Sequence, residues 1–173
     1  ELPDEVPALS LGLYGEKEDF FTLKGMIVEL LSKLGIRDLT FVPETAYGVY
    51  HPGRCARIVA RHMAELENGP QEEEVELGIM GEVHPDVAEK YGVRAYTAEL
   101  FFATVTELSD TTKAYHPLPK YPAMSRDIAL VVDEDMTVGE IEDVIKHAGA
   151  EILKGVKLFD IYRGKQIGEG KKS

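Results

Sequence analysis

From Val75 to Val83 the chain alternates. Val75, Leu77, Ile79, Gly81 and Val83 fall on one side of an extended backbone, and Glu76, Gly78, Met80 and Glu82 fall on the other. A period of two is the pattern of a strand with one wetter face, which an antiparallel sheet permits. Residues 56–62 form a second strand candidate. Between the two lie Asn68-Gly69-Pro70 and the acidic run Glu72-Glu73-Glu74. The pair reads as a long-looped antiparallel hairpin, with Glu72–Glu74 in a solvated loop.

The flanking patterns extend this sheet. Residues 8–14 (Ala-Leu-Ser-Leu-Gly-Leu-Tyr) alternate like a strand. Asp19 then caps a helix in which Leu23, Ile27, Leu30, Leu31 and Leu34 recur at helical spacing, and Gly35 stops it. A short strand runs from Leu39 to Val42 and ends at Pro43. His84-Pro85-Asp86 opens a short helix, with Pro85 in its first turn and Gly92 closing it. A further strand is expected over Ala95–Val105, carrying Tyr96, Ala98, Leu100 and Phe102 on one face. The fold class is α+β, built on an antiparallel sheet with helices.

Residues 109–122 change character: Ser-Asp-Thr-Thr-Lys is followed by Pro117, Pro119 and Pro122. Closely spaced prolines stiffen the backbone and remove donors, so this stretch reads as an extended linker between residues 1–108 and 123–173. The second unit opens with a strand over Asp127–Asp133. Thr137 and Glu140 then form a capping box on a helix expected to bury Val138, Ile141, Val144, Ile145 and Ala148 and to end at Gly149. A strand over Val156–Tyr162 and a Gly-rich turn follow. Strand, helix, strand is the first half of a split ferredoxin-like β-α-β unit, here truncated. In such a sheet the third strand lies between the first two. With the chain ending at Ser173, the unit is expected to be loosely ordered, to pair abnormally or to borrow a strand.

Charge divides the chain too. The net charge is −12, and residues 1–115 carry 10 Lys+Arg against 21 Asp+Glu while residues 116–173 carry 9 against 10. A broad nucleic-acid surface is normally basic, so any RNA contact is expected in the second part. The candidates there are Lys120, Arg126, Lys154, Lys157 and Arg163. Arg126 and Arg163 are favoured because Tyr121 and Tyr162 lie beside them, and aromatic and guanidinium planes stack on unpaired bases. Against this stands the plainer reading of surface cations near strand ends.

In the first part, His51-Pro52-Gly53-Arg54 is a candidate anion-binding or structural loop, with Arg54 forking onto phosphate or carboxylate. The alternative is a tight turn whose Arg pairs with a carboxylate, with Tyr47 and Tyr50 as packing residues. Gly168-Glu-Gly-Lys-Lys-Ser173 lacks the glycine that a phosphate loop needs, because position 165 is Lys. His62, His84, His116 and His147 are scattered and suggest no metal ligand set, and Cys55 beside His51 does not make a zinc site. As the lone cysteine, Cys55 also excludes an internal disulfide and points to a reducing, cytoplasmic setting. No apolar stretch reaches the ~20 residues of a membrane span, and Glu1-Leu-Pro-Asp-Glu5 is unlike a signal peptide. The chain begins without Met and stops in mid-pattern, so both ends read as cuts in a longer protein.

Five strings stand in order along the chain: Asp19-Phe-Phe-Thr-Leu-Lys-Gly25, His51-Pro-Gly-Arg54, Gly81-Glu-Val-His-Pro85, Lys120-Tyr-Pro-Ala-Met-Ser-Arg-Asp-Ile-Ala-Leu-Val-Val-Asp133, and Leu158-Phe-Asp-Ile-Tyr162 with Gly170-Lys-Lys-Ser173. With this order and spacing the chain resembles the C-terminal region of phenylalanyl-tRNA synthetase β subunits of the bacterial type, from about Leu9 onward. The resemblance implies that residues up to about 108 are part of a catalytic-like module, a class II synthetase sheet that does no chemistry. Residues from about 117 would begin a ferredoxin-fold anticodon-binding domain.

It further implies that ATP and Mg²⁺ serve the intact enzyme, with no cofactor bound by this part. The partners would be a catalytic α subunit, a second β subunit in an (αβ)₂ tetramer, and tRNA-Phe. The editing site and its Mg²⁺ carboxylates would lie upstream. Arg57 and Arg61 sit on a candidate strand, but without the acidic partner or glycine track of the family's working sites. The function expected is subunit assembly and tRNA binding, in a part that is inactive alone. Two rivals are a stand-alone binding or regulatory protein built from such modules, and a small acidic hydrolase, which lacks any nucleophile–base pairing.

Overall fold

The computed structural model describes residues 5–66, 69–112, 115, 117–164 and 166–173. It divides into two compact units, residues 1–116 and 117–173.

The first unit is a five-stranded sheet in which every neighbouring pair is antiparallel. Strand β1 (Ala8–Tyr14) is followed by helix α1 (Phe20–Lys33), β2 (Leu39–Pro43), β3 (Tyr50–Leu66), β4 (Gly69–Val83), helix α2 (Pro85–Tyr91), β5 (Ala95–Phe101) and helix α3 (Phe102–Leu108). The spatial order is β1-β5-β4-β3-β2. The chain must therefore pass from one edge of the sheet to the other between β1 and β2. Five strands span about 19 Å between edges, and a 14-residue helix is about 21 Å long. Helix α1 makes that crossing over one face.

Its sequence suits the task. The Asp19 carboxylate accepts from the Thr22 amide at 2.7 Å and from the Thr22 hydroxyl at 2.9 Å, which caps the first turn. These bonds hold the Asp19 carboxyl below its ordinary range. Leu23, Ile27 and Leu31 recur every fourth position and are buried. They pack with Ile58, Leu77, Met80, Tyr96 and Leu100 of the sheet. Replacing Ile27 by Ala should lower stability by about 3 kcal/mol, while Val28→Ala, on the exposed side of α1, should change it by less than about 1 kcal/mol. Urea unfolding of both variants checks the orientation of the helix.

Several elements differ from the expectations above. Strand β3 runs to Leu66 and β4 starts at Gly69, so the Glu72–Glu74 run is strand rather than loop. Those residues pair with Met63, His62 and Arg61. Asn68 lies outside the described residues. Strand β2 pairs with β3 only as far as Ala60, so beyond that the two strands form an arm of their own. With both faces wet, the arm has no apolar alternation to betray it. Alternation also fails within β4. A register shift opposite Ile58 and Val59 lets Leu77 and Met80 both join the main core, while Ile79 belongs to a second cluster with Tyr50 and Cys55. The strand expected over Ala95–Val105 stops at Phe101. Its remainder turns into α3, which buries Val105 and leaves Phe102 exposed.

The second unit contains β6 (Val132–Asp133), helix α4 (Val138–Gly149), a 3₁₀ turn over Ala150–Ile152 and β7 (Lys171–Lys172). The capping box forms: the Glu140 amide donates to the Thr137 hydroxyl at 3.3 Å, and the Thr137 amide donates to Glu140 at 2.7 Å. The five apolar positions of α4 are not buried as expected, and Val144 is 70% exposed. The strand expected over 127–133 is reduced to two residues, and the one expected over 156–162 does not form. An alternating run becomes a strand only where a backbone partner meets it. Here the partner is residues 170–173. They pair with Val132 and Asp133, accept from the Glu134 amide at 2.9 Å, and exchange both backbone bonds between Ser173 and Tyr162 at 2.6 and 3.0 Å. Residues 170–173 therefore sit between the two runs, in the position of a third ferredoxin-like strand.

Candidate functional site

Charged groups on the sheet are tied to one another. Glu82 stands opposite Tyr96 in the β4–β5 ladder and is only 6% exposed. One of its carboxylate oxygens accepts from Arg54 Nη1 and from Arg94 Nη2, each at 2.8 Å. The Arg94 guanidinium also lies 5.5 Å from the centre of the Tyr96 ring. Burial pushes the Glu82 carboxyl up, but the two guanidiniums together outweigh it and hold it below its ordinary value. Arg54 is thus oriented by a carboxylate 28 residues away. Its loop partner His51 accepts at Nδ1 from the Gly53 amide at 3.0 Å. The whole His51–Arg54 string bulges from β3, because Tyr50 pairs with Val83 and Cys55 already with Gly81. Cys55 is buried, and burial pushes its thiol up to about 11.

Arg57 and Arg61 on β3 are also engaged with carboxylates of the same sheet. Arg57 meets Glu76 at 3.1 Å and Glu44 at 3.5 Å. Glu44 is fixed by the amides of Ala46 and Thr45, which hold its carboxyl below its ordinary range. Arg61 donates to the Thr40 hydroxyl at 2.9 Å and lies 3.5 Å from Glu74. No local spacing announces these contacts, because each is made across the sheet.

In the second unit the five candidate cations are placed differently. Arg163 is bound to Glu134 at 2.7 Å. Lys154 donates to the Glu151 carbonyl at 3.3 Å, and Arg126 to the carbonyl of its neighbour Ser125 at 3.1 Å. Lys120 lies 5.9 Å from the Tyr121 ring centre, and Lys157 is exposed. Two lysines that sequence reasoning passed over are engaged in holding β7: Lys171 pairs with Asp133 at 2.6 Å, and Lys172 donates to the Glu134 carbonyl at 2.8 Å. Lys165 and His116 lie outside the described residues. Among the described residues, no three His, Cys, Asp or Glu side chains gather around a common metal position, and no helix is long and apolar enough to cross a membrane.

Comparison with known proteins follows the same division. Residues 1–102 match the family described as the phenylalanyl tRNA synthetase beta chain CLM domain, and residues 119–173 match the ferredoxin-fold anticodon binding domain. The phenylalanine–tRNA ligase beta subunit of Clostridium acetobutylicum is 40% identical over 175 aligned residues, covering 100% of this chain and 20% of its own length. That of Clostridium tetani is 39% identical over 99% of the chain and 20% of its own length. The Bacillus subtilis subunit is 38% identical over 92% and 19%. The chain spans about a fifth of the length of these relatives. With one family model covering more than half of it and relatives near 40% identity aligned along its length, the chain belongs to the phenylalanyl-tRNA synthetase β-chain family.

Proposed function

We propose that this chain is a part of a phenylalanine–tRNA ligase β subunit that serves subunit assembly and tRNA binding, while a partner α subunit joins phenylalanine to tRNA-Phe with ATP and Mg²⁺. The observation that carries this reading is the tandem match, a synthetase β-chain module followed directly by an anticodon-binding module. The sheet supports it. Its Arg54, Arg57 and Arg94 guanidiniums are engaged with carboxylates of the same chain, so they serve the sheet's own integrity rather than offering themselves to a nucleotide phosphate. Residues 1–108 then act as a scaffold of class II synthetase type, residues 109–122 as a linker, and residues 123–173 as the RNA-facing unit. Lys120, Arg126, Lys154, Lys157 and Arg163 are the cations available to it, and His51 with Arg54 forms a structural loop. The assembled enzyme is an (αβ)₂ tetramer in the cytoplasm.

The experiment is co-elution with light scattering, with the chain mixed with the α subunit of its own enzyme. A stable complex without phenylalanine-dependent ATP–pyrophosphate exchange by the chain alone is the expected result. Exchange by the isolated chain would overturn the division of labour. A chain that neither joins the α subunit nor retains tRNA-Phe would overturn the assignment.

A further inference from the structure

The two faces of the sheet are covered by different means. Helices α1 and α3 bury Leu23, Ile27, Leu31 and Val105 on the face that carries Met80 and Tyr96. Gly81 and Thr97 follow those two residues in sequence, pair with one another, and turn to the opposite face. There the cover is the chain's own Tyr50. Its ring is 5% exposed and clusters with Cys55 and Ile79. Gly81 is the floor beneath it. A Cβ built there would lie 2.9 Å from Cγ and Cδ1 of the ring and 2.9 Å from the Arg54 carbonyl oxygen. Gly81 does not adopt a positive φ, so what the position requires of glycine is room. The Thr97 hydroxyl meets the phenol oxygen at 3.4 Å, and burial pushes that phenol up from its ordinary value.

The loop of residues 44–49 holds the ring in this seat. At one end the Glu44 amide donates to the Cys55 carbonyl at 2.9 Å. At the other, the His84 amide donates to the Val49 carbonyl at 2.9 Å and the Tyr50 amide to the Tyr47 carbonyl at 3.0 Å. The Tyr47 ring stacks on Tyr50 at 5.8 Å between centroids, with planes 28° apart, and is itself half exposed. A glycine floor, an apolar wall and one hydroxyl are the lining that a small aromatic molecule needs. A ring tethered there by its own backbone outcompetes a free one, because its effective concentration is far higher.

We propose that Tyr50 is a built-in plug: it fills in cis a depression on the second sheet face that takes a free phenol once the ring is removed, and the loop of residues 44–49 keeps it closed. The face is shut to aromatic ligands as long as the plug is seated. This goes beyond assembly and tRNA contact, and it holds whether or not the chain joins an α subunit.

Cys55, the only cysteine, reports on the seat because it is 7% exposed beside the ring. The test follows its reaction with a disulfide reagent in the whole chain, with para-cresol as the probe. In the parent the reaction should be slow and indifferent to para-cresol. Tyr50→Ala should speed it by about 10-fold or more, since burial both hides the thiol and pushes it up to about 11. Para-cresol should slow the variant back toward the parent, as a ligand fills the cavity left by a deleted side chain, and tert-butanol at the same concentration should not. Adding Gly81→Ala to Tyr50→Ala should remove the protection, because the new methyl group occupies the floor. Tyr50→Leu takes the place of Tyr50→Ala if circular dichroism shows that the latter has lost its helices, with the same directions expected. A variant as slow as the parent would show that something else covers Cys55. A fast variant that para-cresol leaves unprotected would show that the seat does not take a phenol, and either result overturns the plug.

Discussion

Replacing Gly78 by Ala should lower the stability of the sheet by about 4 kcal/mol, combining backbone strain of roughly 1–3 kcal/mol with overpacking of similar size. That is a large share of the 5–15 kcal/mol typical of a whole domain. Gly78 sits in the middle of β4 with φ +153°, in the range that favours glycine. It pairs with Leu100 of β5 and Ile58 of β3. A Cβ built there would run into the Glu99 carbonyl oxygen and lie 2.8 Å from the Leu100 Cα, both of them backbone that cannot step aside. The register shift next to it needs this close approach, because it is what lets Leu77 turn into the core. Gly12 is the control. It too lies in a strand, but in edge strand β1 with nothing within 4 Å of an added Cβ, so Gly12→Ala should cost less than about 1 kcal/mol. Urea unfolding followed by circular dichroism separates the two, and equal midpoints would show that β4 and β5 do not approach as described.

Gly78 also shows where the fold was legible and where it was not. Within the chain, α1 and α4 could be read directly because their signals are local: Asp19 and Thr22 at one cap, Thr137 and Glu140 at the other, and apolar spacing between. Strand β4 was legible as a strand, yet its facing was not, because a register shift reverses the alternation without leaving any mark in composition. Helix α3 has the alternation and composition of a strand. Its Phe-Ala-Thr-Val-Thr sequence favours strands, whereas as a helix it buries Val105 and packs Leu108 against the core. In the second unit the pattern over 127–133 was sound, but the strand needs a partner, and only Val132 and Asp133 meet one.

The charged contacts were less legible still. Arg54 and Glu82 are 28 residues apart and Arg94 another 12 from Glu82, so only the hairpin register and the β4–β5 pairing bring them together. Lys120, Tyr121 and Arg126 are the opposite case. Their proximity is in the sequence itself, and what the structure adds is that Arg163 and Lys171 are held by carboxylates while the Tyr121 ring is exposed.

Glu82→Ala should cost about 2–3 kcal/mol at neutral pH, because it leaves two guanidiniums without the carboxylate that orients them. The figure is held below that of a fully buried pair because Arg54 and Arg94 are about half exposed and partly screened. Removing all three charges, as Glu82→Leu/Arg54→Met/Arg94→Met, should be milder than removing Glu82 alone, since no charge is then left uncompensated. Acid provides a second readout. The folded Glu82 carboxyl lies below its ordinary 4.5, so the unfolded chain binds this proton more readily than the folded one. Its contribution is complete above about pH 4.5 and is lost as pH falls through the folded value. Asp19, Glu44 and Asp110 are shifted in the same direction, so the parent loses stability in acid from several groups at once. The difference between parent and Glu82→Ala isolates the one carboxylate. The two stabilities should differ at pH 7 and converge as the pH falls below the folded value, and a gap that stays constant through the acid range would mean that Glu82 supports the sheet by packing rather than by its charge.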